Sequence, residues 1–202
     1  MTTIKKDSAL RDKTSIVIQE IQQCRLCEAN LPLGANPVVR GKQGARLMII
    51  GQAPGTKVHH SSIPWNDASG DRLREWLQIS RDVFYDQDKI AIMPMGFCYP
   101  GKGNSGDLPP RKECAPTWHH RLLDTLPKLQ LTLLIGQYAQ QYYLADNKNL
   151  TERVKNYQTY LPDYFALPHP SPRNNIWLKK HPWFETTLLP DLRQRVRCIL
   201  SM

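Results

Sequence analysis

No stretch of this sequence is apolar for the length that a bilayer demands, and Met1-Thr2-Thr3-Ile4-Lys5-Lys6-Asp7 holds no apolar signal core. A soluble protein of the cytoplasm is the expectation. Acidic side chains are the scarcer charge: 18 Asp and Glu stand against 27 Lys and Arg, a formal net charge of +9. That sign favours a polyanionic partner or substrate, with nucleic acid first. Cysteine is sparse, five in 202 residues. In an intracellular chain five cysteines read as metal ligands, buried thiols or catalytic groups rather than as a disulfide frame. There is no internal repeat and no domain-length linker. The length suits one domain with a substantial core, over residues 14–202, behind a polar and flexible segment at 1–13.

What is present is an alternation of strand and helix. Four short apolar runs read as buried strands, at 46–50, 89–93, 131–135 and 164–167. Thr14 or Ser15 is placed to cap a first helix, and further helices are expected from Ser69, over 115–126, 138–144 and 150–160, and over 184–199 with a kink or restart at Pro190. Residues 30–45, with their prolines and glycines, read as a surface loop. The Gly- and Pro-rich stretch 99–110 reads as a long loop, and long loops usually carry function. This order predicts an α/β fold, a three-layer α/β/α sandwich around a mainly parallel four-stranded sheet. Gln52, the Met95–Tyr99 region, Gln137 and His169 should then converge at the carboxyl edge, where open α/β folds bind ligands.

Two stretches at that edge stand out. Gly51-Gln52-Ala53-Pro54-Gly55 ends the first strand in a turn, and its glycines let backbone amides approach a ligand closely. Leu167-Pro168-His169-Pro170-Ser171-Pro172-Arg173-Asn174 ends the fourth. The cysteines form a third feature. Cys24 and Cys27 have the two-residue gap that lets both sulfurs reach one ion, and Cys98 and Cys114 are able to complete a four-thiolate set. Such a set suits zinc or an iron–sulfur cluster; the spacing is equally met by ordinary buried thiols. Cys198, between Val196 and Ile199, reads as a core thiol.

Together these residues resemble the uracil-DNA glycosylase superfamily, most closely its iron–sulfur branch and the bacterial uracil-DNA-glycosylase-like proteins around it, over about residues 20–200. In that branch a Cys-x-x-Cys precedes a strand ending in Gly-Glu-Ala-Pro-Gly, similar to Cys24–Cys27 and Gly51–Gly55 here. The sixteen-residue interval from Cys98 to Cys114 is also that branch's. His169-Pro170-Ser171 is similar to the superfamily's second motif, and Pro64-Trp65-Asn66-Asp67-Ala68-Ser69-Gly70 to its base-stacking loop. Two positions depart from the pattern: Ala53 stands where several branches carry a catalytic Asp or Asn, and Pro94 where others carry a uracil-reading Asn.

The resemblance implies a DNA glycosylase that flips a deaminated base and hydrolyses its N-glycosidic bond in base excision repair. It would be a cytoplasmic, nucleoid-associated monomer carrying a [4Fe-4S] cluster, or structural zinc, on Cys24, Cys27, Cys98 and Cys114. His169 would donate a hydrogen bond to the departing base, with Gln52 and Asp67 as candidates for handling the water. Asp67 is equally placed to cap a helix. Gly51, Ala53, Pro54, Gly55 and Trp65 would enclose the base, and Ser171, Arg173 and Asn174 would contact DNA, followed by the basic stretch Asn175, Trp177, Lys179 and Lys180. The rival expectations are a non-catalytic nucleic-acid-binding relative and a hydrolase of small nucleosides or nucleotides.

Overall fold

The computed structural model describes residues 12–104 and 106–201. Most of the expected flexible segment therefore lies outside the described residues, and its last two positions, Asp12 and Lys13, cap and begin the first helix. That helix, α1 (Lys13–Gln22), is capped by Asp12, whose carboxylate accepts from the Thr14 N–H at 3.0 Å, and not by Thr14 or Ser15. Thr14 is fully buried, and its hydroxyl donates to the Thr125 carbonyl instead.

The four expected strands form β1 (Leu47–Ile50), β2 (Ile90–Ile92), β5 (Leu131–Ile135) and β6 (Tyr164–Leu167). They lie side by side in the order β2-β1-β5-β6, all parallel. Leu47, Met48, Ile49 and Ile50 have no exposed surface at all, so helices cover both faces of the sheet, as an all-parallel sheet requires. The flanking helices are α2 (Thr56–Ser61), α3 (Ala68–Leu77), α4 (Arg81–Tyr85), α5 (Cys114–Leu123), α6 (Gln137–Tyr143), α7 (Leu150–Lys155), α8 (Asn175–Lys180) and α9 (Leu189–Ser201). A π-type turn at Phe184–Leu188 precedes α9, so the restart anticipated near Pro190 is where the helix begins. No helix among the described residues is long and apolar enough to cross a membrane.

Three local expectations change. Residues 30–45 are not a loose surface loop: Leu31, Val38, Val39 and Ala45 are buried. The segment pairs with the edge of the sheet, Arg40 and Ile92 exchanging N–H to O bonds of 3.0 and 2.7 Å. An edge strand leaves its backbone donors and acceptors unpaired, and this segment satisfies those of β2. The 99–110 loop contains a small antiparallel hairpin, β3 (Lys102–Gly103) with β4 (Gly106–Asp107). Cys198 is exposed, because α9 turns Leu192, Val196 and Ile199 inward and the cysteine falls on the opposite side.

Candidate active site at the carboxyl edge of the sheet

All four strands end at the same edge, where the loops after β1, β2 and β6 line a cleft of about 440 Å³. Gly51, Gln52, Ala53, Pro54 and Gly55 all line it. Their backbone is held by the neighbouring strand exit: the Met95 N–H donates to the Gly51 carbonyl at 2.9 Å and the Gly96 N–H to the Gln52 carbonyl at 3.0 Å. The Gln52 amide makes a long contact, 3.4 Å, with the Leu108 carbonyl beside the hairpin.

Trp65 forms the next wall. Its indole lies directly on Gly51, where a Cβ would come within 2.6 Å of Cζ2. The Trp65 backbone is left-handed, φ 57°, which is unusual for a bulky side chain and persists only when the surroundings impose it. Those surroundings are identifiable. Buried Arg74 donates to the Trp65 carbonyl at 3.3 Å and to Asp71 at 2.6 Å, and its guanidinium lies over the Phe84 ring at 5.1 Å. Gly70 closes on the same carbonyl from the first turn of α3.

Opposite stands the second motif. The His169 and Trp65 rings lie 5.6 Å apart at 32°, a tilted aromatic pair. Burial holds the His169 imidazole below the ordinary histidine range, and nearby Asp67 opposes this only in part, so at neutral pH the ring is neutral and offers one N–H. The Asn174 amide donates to the His169 carbonyl at 2.7 Å, and Arg72, reaching from α3, donates to the Ser171 carbonyl at 3.2 Å and to the Asn175 side chain at 2.8 Å. The Ser171 hydroxyl oxygen accepts from the Arg173 N–H at 3.3 Å, capping the short 3-10 turn Pro172–Asn174.

Asp67 combines the two expectations made for it. Its Oδ1 accepts from the Gly70 N–H at 2.9 Å, capping α3, and the residue also lines the cleft. Gln52, Ala53, Trp65, Asp67, His169, Ser171, Arg173 and Asn174 are thus brought together, with Pro94 beside them. Pro94 presents no side-chain donor, and its carbonyl is occupied by His119, Nε2 to O 3.1 Å. His119 is buried, which lowers its pKa to about 4, so the neutral ring donates from Nε2 and accepts from the Tyr143 hydroxyl at Nδ1.

Other residues fall elsewhere. Met95 and Phe97 to Tyr99 are buried behind the motif backbone, and neither they nor Gln137, His59 and His60 line the cleft. The Trp177 indole N–H donates to Thr151 at 2.8 Å, and its ring packs on Trp183 and Phe184. A sequence reading overlooked Asp107, which the hairpin brings to the cleft, and Arg72, which ties α3 to the second motif. The only local signal was the Gly-rich 99–110 stretch around Asp107.

Cys24, Cys27, Cys98 and Cys114 lie near one another. Cys27, Cys98 and Cys114 are buried and Cys24 is half-buried. Cys27 and Cys98 pack in a small cluster with Leu31. Burial pushes the Cys98 thiol up to about 11 and that of Cys114 to about 12, and the neighbouring sulfurs add to each rise. Among the described residues no group of three or more His, Cys, Asp or Glu side chains is arranged to hold a metal ion. The all-sulfur donor set nonetheless has the composition that zinc or an iron–sulfur cluster takes. A comparison with known families finds that the model described as the Uracil DNA glycosylase superfamily aligns with residues 38–193, from the sheet-edge segment into α9.

Proposed function

The chain belongs to the uracil DNA glycosylase superfamily, whose members are hydrolases of N-glycosidic bonds in DNA, and from that premise we propose that it flips a deaminated base, uracil or a relative, into this cleft and releases it. The observation that carries the reading is that the Trp65–His169 pair and the Gly51–Gly55 backbone line one cleft of about 440 Å³ at the carboxyl edge of the sheet. Stacking on an aromatic offsets part of the few kcal/mol that unstacking a base costs, contributing about 1–3 kcal/mol. As the glycosidic bond lengthens, negative charge develops on the base, and the His169 N–H donates to it in a partly water-excluded site. The Asp67 carboxylate, held by the Gly70 N–H, favours the cation-like sugar. Ser171, Arg173 and Asn174 stand at the mouth to take the phosphates of a monomeric protein's DNA, in the cytoplasm at the nucleoid. Pro94 makes no side-chain hydrogen bond to a base, so the preferred base is the one whose edge the remaining cleft groups satisfy.

Base release from single- and double-stranded oligonucleotides carrying uracil, hypoxanthine or xanthine tests this. At least one is expected to lose its base, and DNA affinity should fall with salt at about 0.9 log units per log unit of salt for each phosphate contacted. Salt-sensitive binding without release would make the protein a DNA binder on a glycosylase scaffold, the reading that Ala53 and Pro94 favour. Release from free nucleosides, insensitive to salt, would make it a small-molecule hydrolase.

We further propose that Cys24, Cys27, Cys98 and Cys114 hold a [4Fe-4S] cluster, with zinc as the alternative. Four thiolates leave no open coordination position, so the group would tie the end of α1 to the loop before α5 and take no part in hydrolysis. Purified protein should contain about four irons and absorb broadly in the visible; one zinc and no colour would select the alternative. Cys98→Ser should lose the metal and melt at a lower temperature. A metal-free parent whose Tm is untouched by Cys98→Ser would leave these as buried thiols.

A further inference from the structure

The first motif has no ionisable side chain with which to activate water, since Ala53 offers a methyl group and Gln52 an amide. A carboxylate from elsewhere in the chain reaches the end of that motif, at Gly55. The β3–β4 hairpin, in the register Lys102 to Asp107 and Gly103 to Gly106, sets Asp107 against the turn after β1. Its Oδ2 lies 3.4 Å from the position that a Cβ on Gly55 would take, and the residue lines the cleft with Ala53, Asp67 and His169. The second motif closes over the same hairpin: Arg173 Nη1 occupies the space of a Cβ on Gly106, at 2.1 Å. Asp67, the other carboxylate in the cleft, has one oxygen committed to the α3 N-terminus.

We propose that Asp107 is the general base of the reaction, supplying from the hairpin the carboxylate that Ala53 does not offer. The inference rests on the glycosylase reading above. In the step, the oxygen of a water bound by Asp107 bonds to C1′ of the nucleotide as the bond from C1′ to the base nitrogen breaks. The electron pair of that bond leaves on the base, held by the His169 N–H. The water's proton passes to Asp107 and then to solvent, from which the base anion is reprotonated. The groups that face Asp107 are Arg173 and Lys102, which favour its charge, and Asp67, which opposes it. The residue as a whole is exposed, yet the net direction is upward, with partial burial of the carboxyl the largest cause. A raised pKa suits a base, because a carboxylate near the operating pH accepts protons more readily.

The test is Asp107→Asn, assayed under single-turnover conditions on the oligonucleotide from which the parent releases base fastest. The expected loss is about 10²-fold. The acid limb of the parent's pH–rate profile, in which rate rises with pH as Asp107 ionises, should disappear. DNA affinity should hold or tighten, since a negative charge beside the phosphates is removed, and Tm should not fall. A mere anchor for Arg173 would move the other readouts instead, weakening DNA binding and lowering Tm with the acid limb intact. A variant rate within about threefold of an active parent overturns the assignment, as does loss of the acid limb in Asp67→Asn but not in Asp107→Asn. A parent that releases no base from any oligonucleotide overturns the glycosylase reading itself and Asp107's role with it.

Discussion

Replacing His169 with alanine should slow single-turnover base release by about 10³-fold while changing DNA affinity by less than about threefold. The asymmetry follows from where the charge is. In the ground state the base oxygen is neutral, and one imidazole N–H contributes little; in the transition state the same bond faces a developing anion where water is partly excluded. Removing one such donor typically costs about 10²–10³ in rate. The upper end is expected because the Trp65 ring on one side and the Gly136 turn on the other, where an added Cβ would lie 3.7 Å from the His169 Cβ, keep the ring from drifting. The pH dependence carries a sign. Burial lowers the His169 pKa, so the ring is already neutral at pH 7 and nothing at this residue titrates as pH rises further. A catalyst that relied on imidazolium would lose rate as pH rose through about 6.5. Here the rate should hold between about pH 7 and 9. Parent-like release by His169→Ala, or a steep fall above neutrality abolished by that substitution, would remove His169 from its proposed role.

Gly70→Ala should destabilise the protein by about 3 kcal/mol or more, a fall in Tm of roughly 6–12 °C for a chain of this size, and should silence the site. Helix propensity argues the reverse, since alanine is favoured over glycine by about 1 kcal/mol inside a helix. Packing decides the sign. A Cβ at Gly70 would stand 1.7 Å from the Trp65 carbonyl oxygen and 2.6 Å from its carbon, and these are backbone atoms that cannot rotate away. The Trp65 carbonyl is also the one that Arg74 holds, so pushing it aside releases a buried guanidinium and the left-handed turn together. Gly51→Ala offers the contrast. Its Cβ would meet the far edge of the Trp65 indole, 2.6 Å away, which is a side chain able to swing. That variant should keep more of its stability and lose its base stacking. Thermal melts of the two beside the parent check both expectations; a Gly70→Ala protein as stable as the parent would mean that the Trp65 turn is not imposed from α3.

The alternation of buried runs and amphipathic segments was enough to place the strands, their parallel order of layers and the edge at which Gly51–Gly55 and His169 meet. The His169 and Trp65 stretches were recognisable because their chemistry sits in contiguous residues. Asp107 was not, because a Gly- and Pro-rich stretch announces a turn without saying which way its hairpin folds. The burial of Val38 and Val39 was equally hidden, since the open edge of β2 that they cover lies about fifty residues further along the chain. Nor could the pattern Asp67-Ala68-Ser69-Gly70 separate a cap from a catalytic carboxylate, when one oxygen can cap and the residue still line the cleft.

By itself, then, the sequence determined the α/β architecture, the family and the identity of the two edge motifs. Side-chain periodicity, turn chemistry and short motifs are local properties, legible wherever neighbouring residues carry them. Only the tertiary structure decided that Trp65 lies on Gly51 with a strained backbone, that Arg72 and Arg74 brace the second motif and the Trp65 turn from one helix, and that a hairpin carries Asp107 to the cleft that Ala53 lines without a carboxylate. Each of these is a contact between segments far apart in the chain, and such a contact depends on how whole layers pack, which no local stretch of sequence encodes.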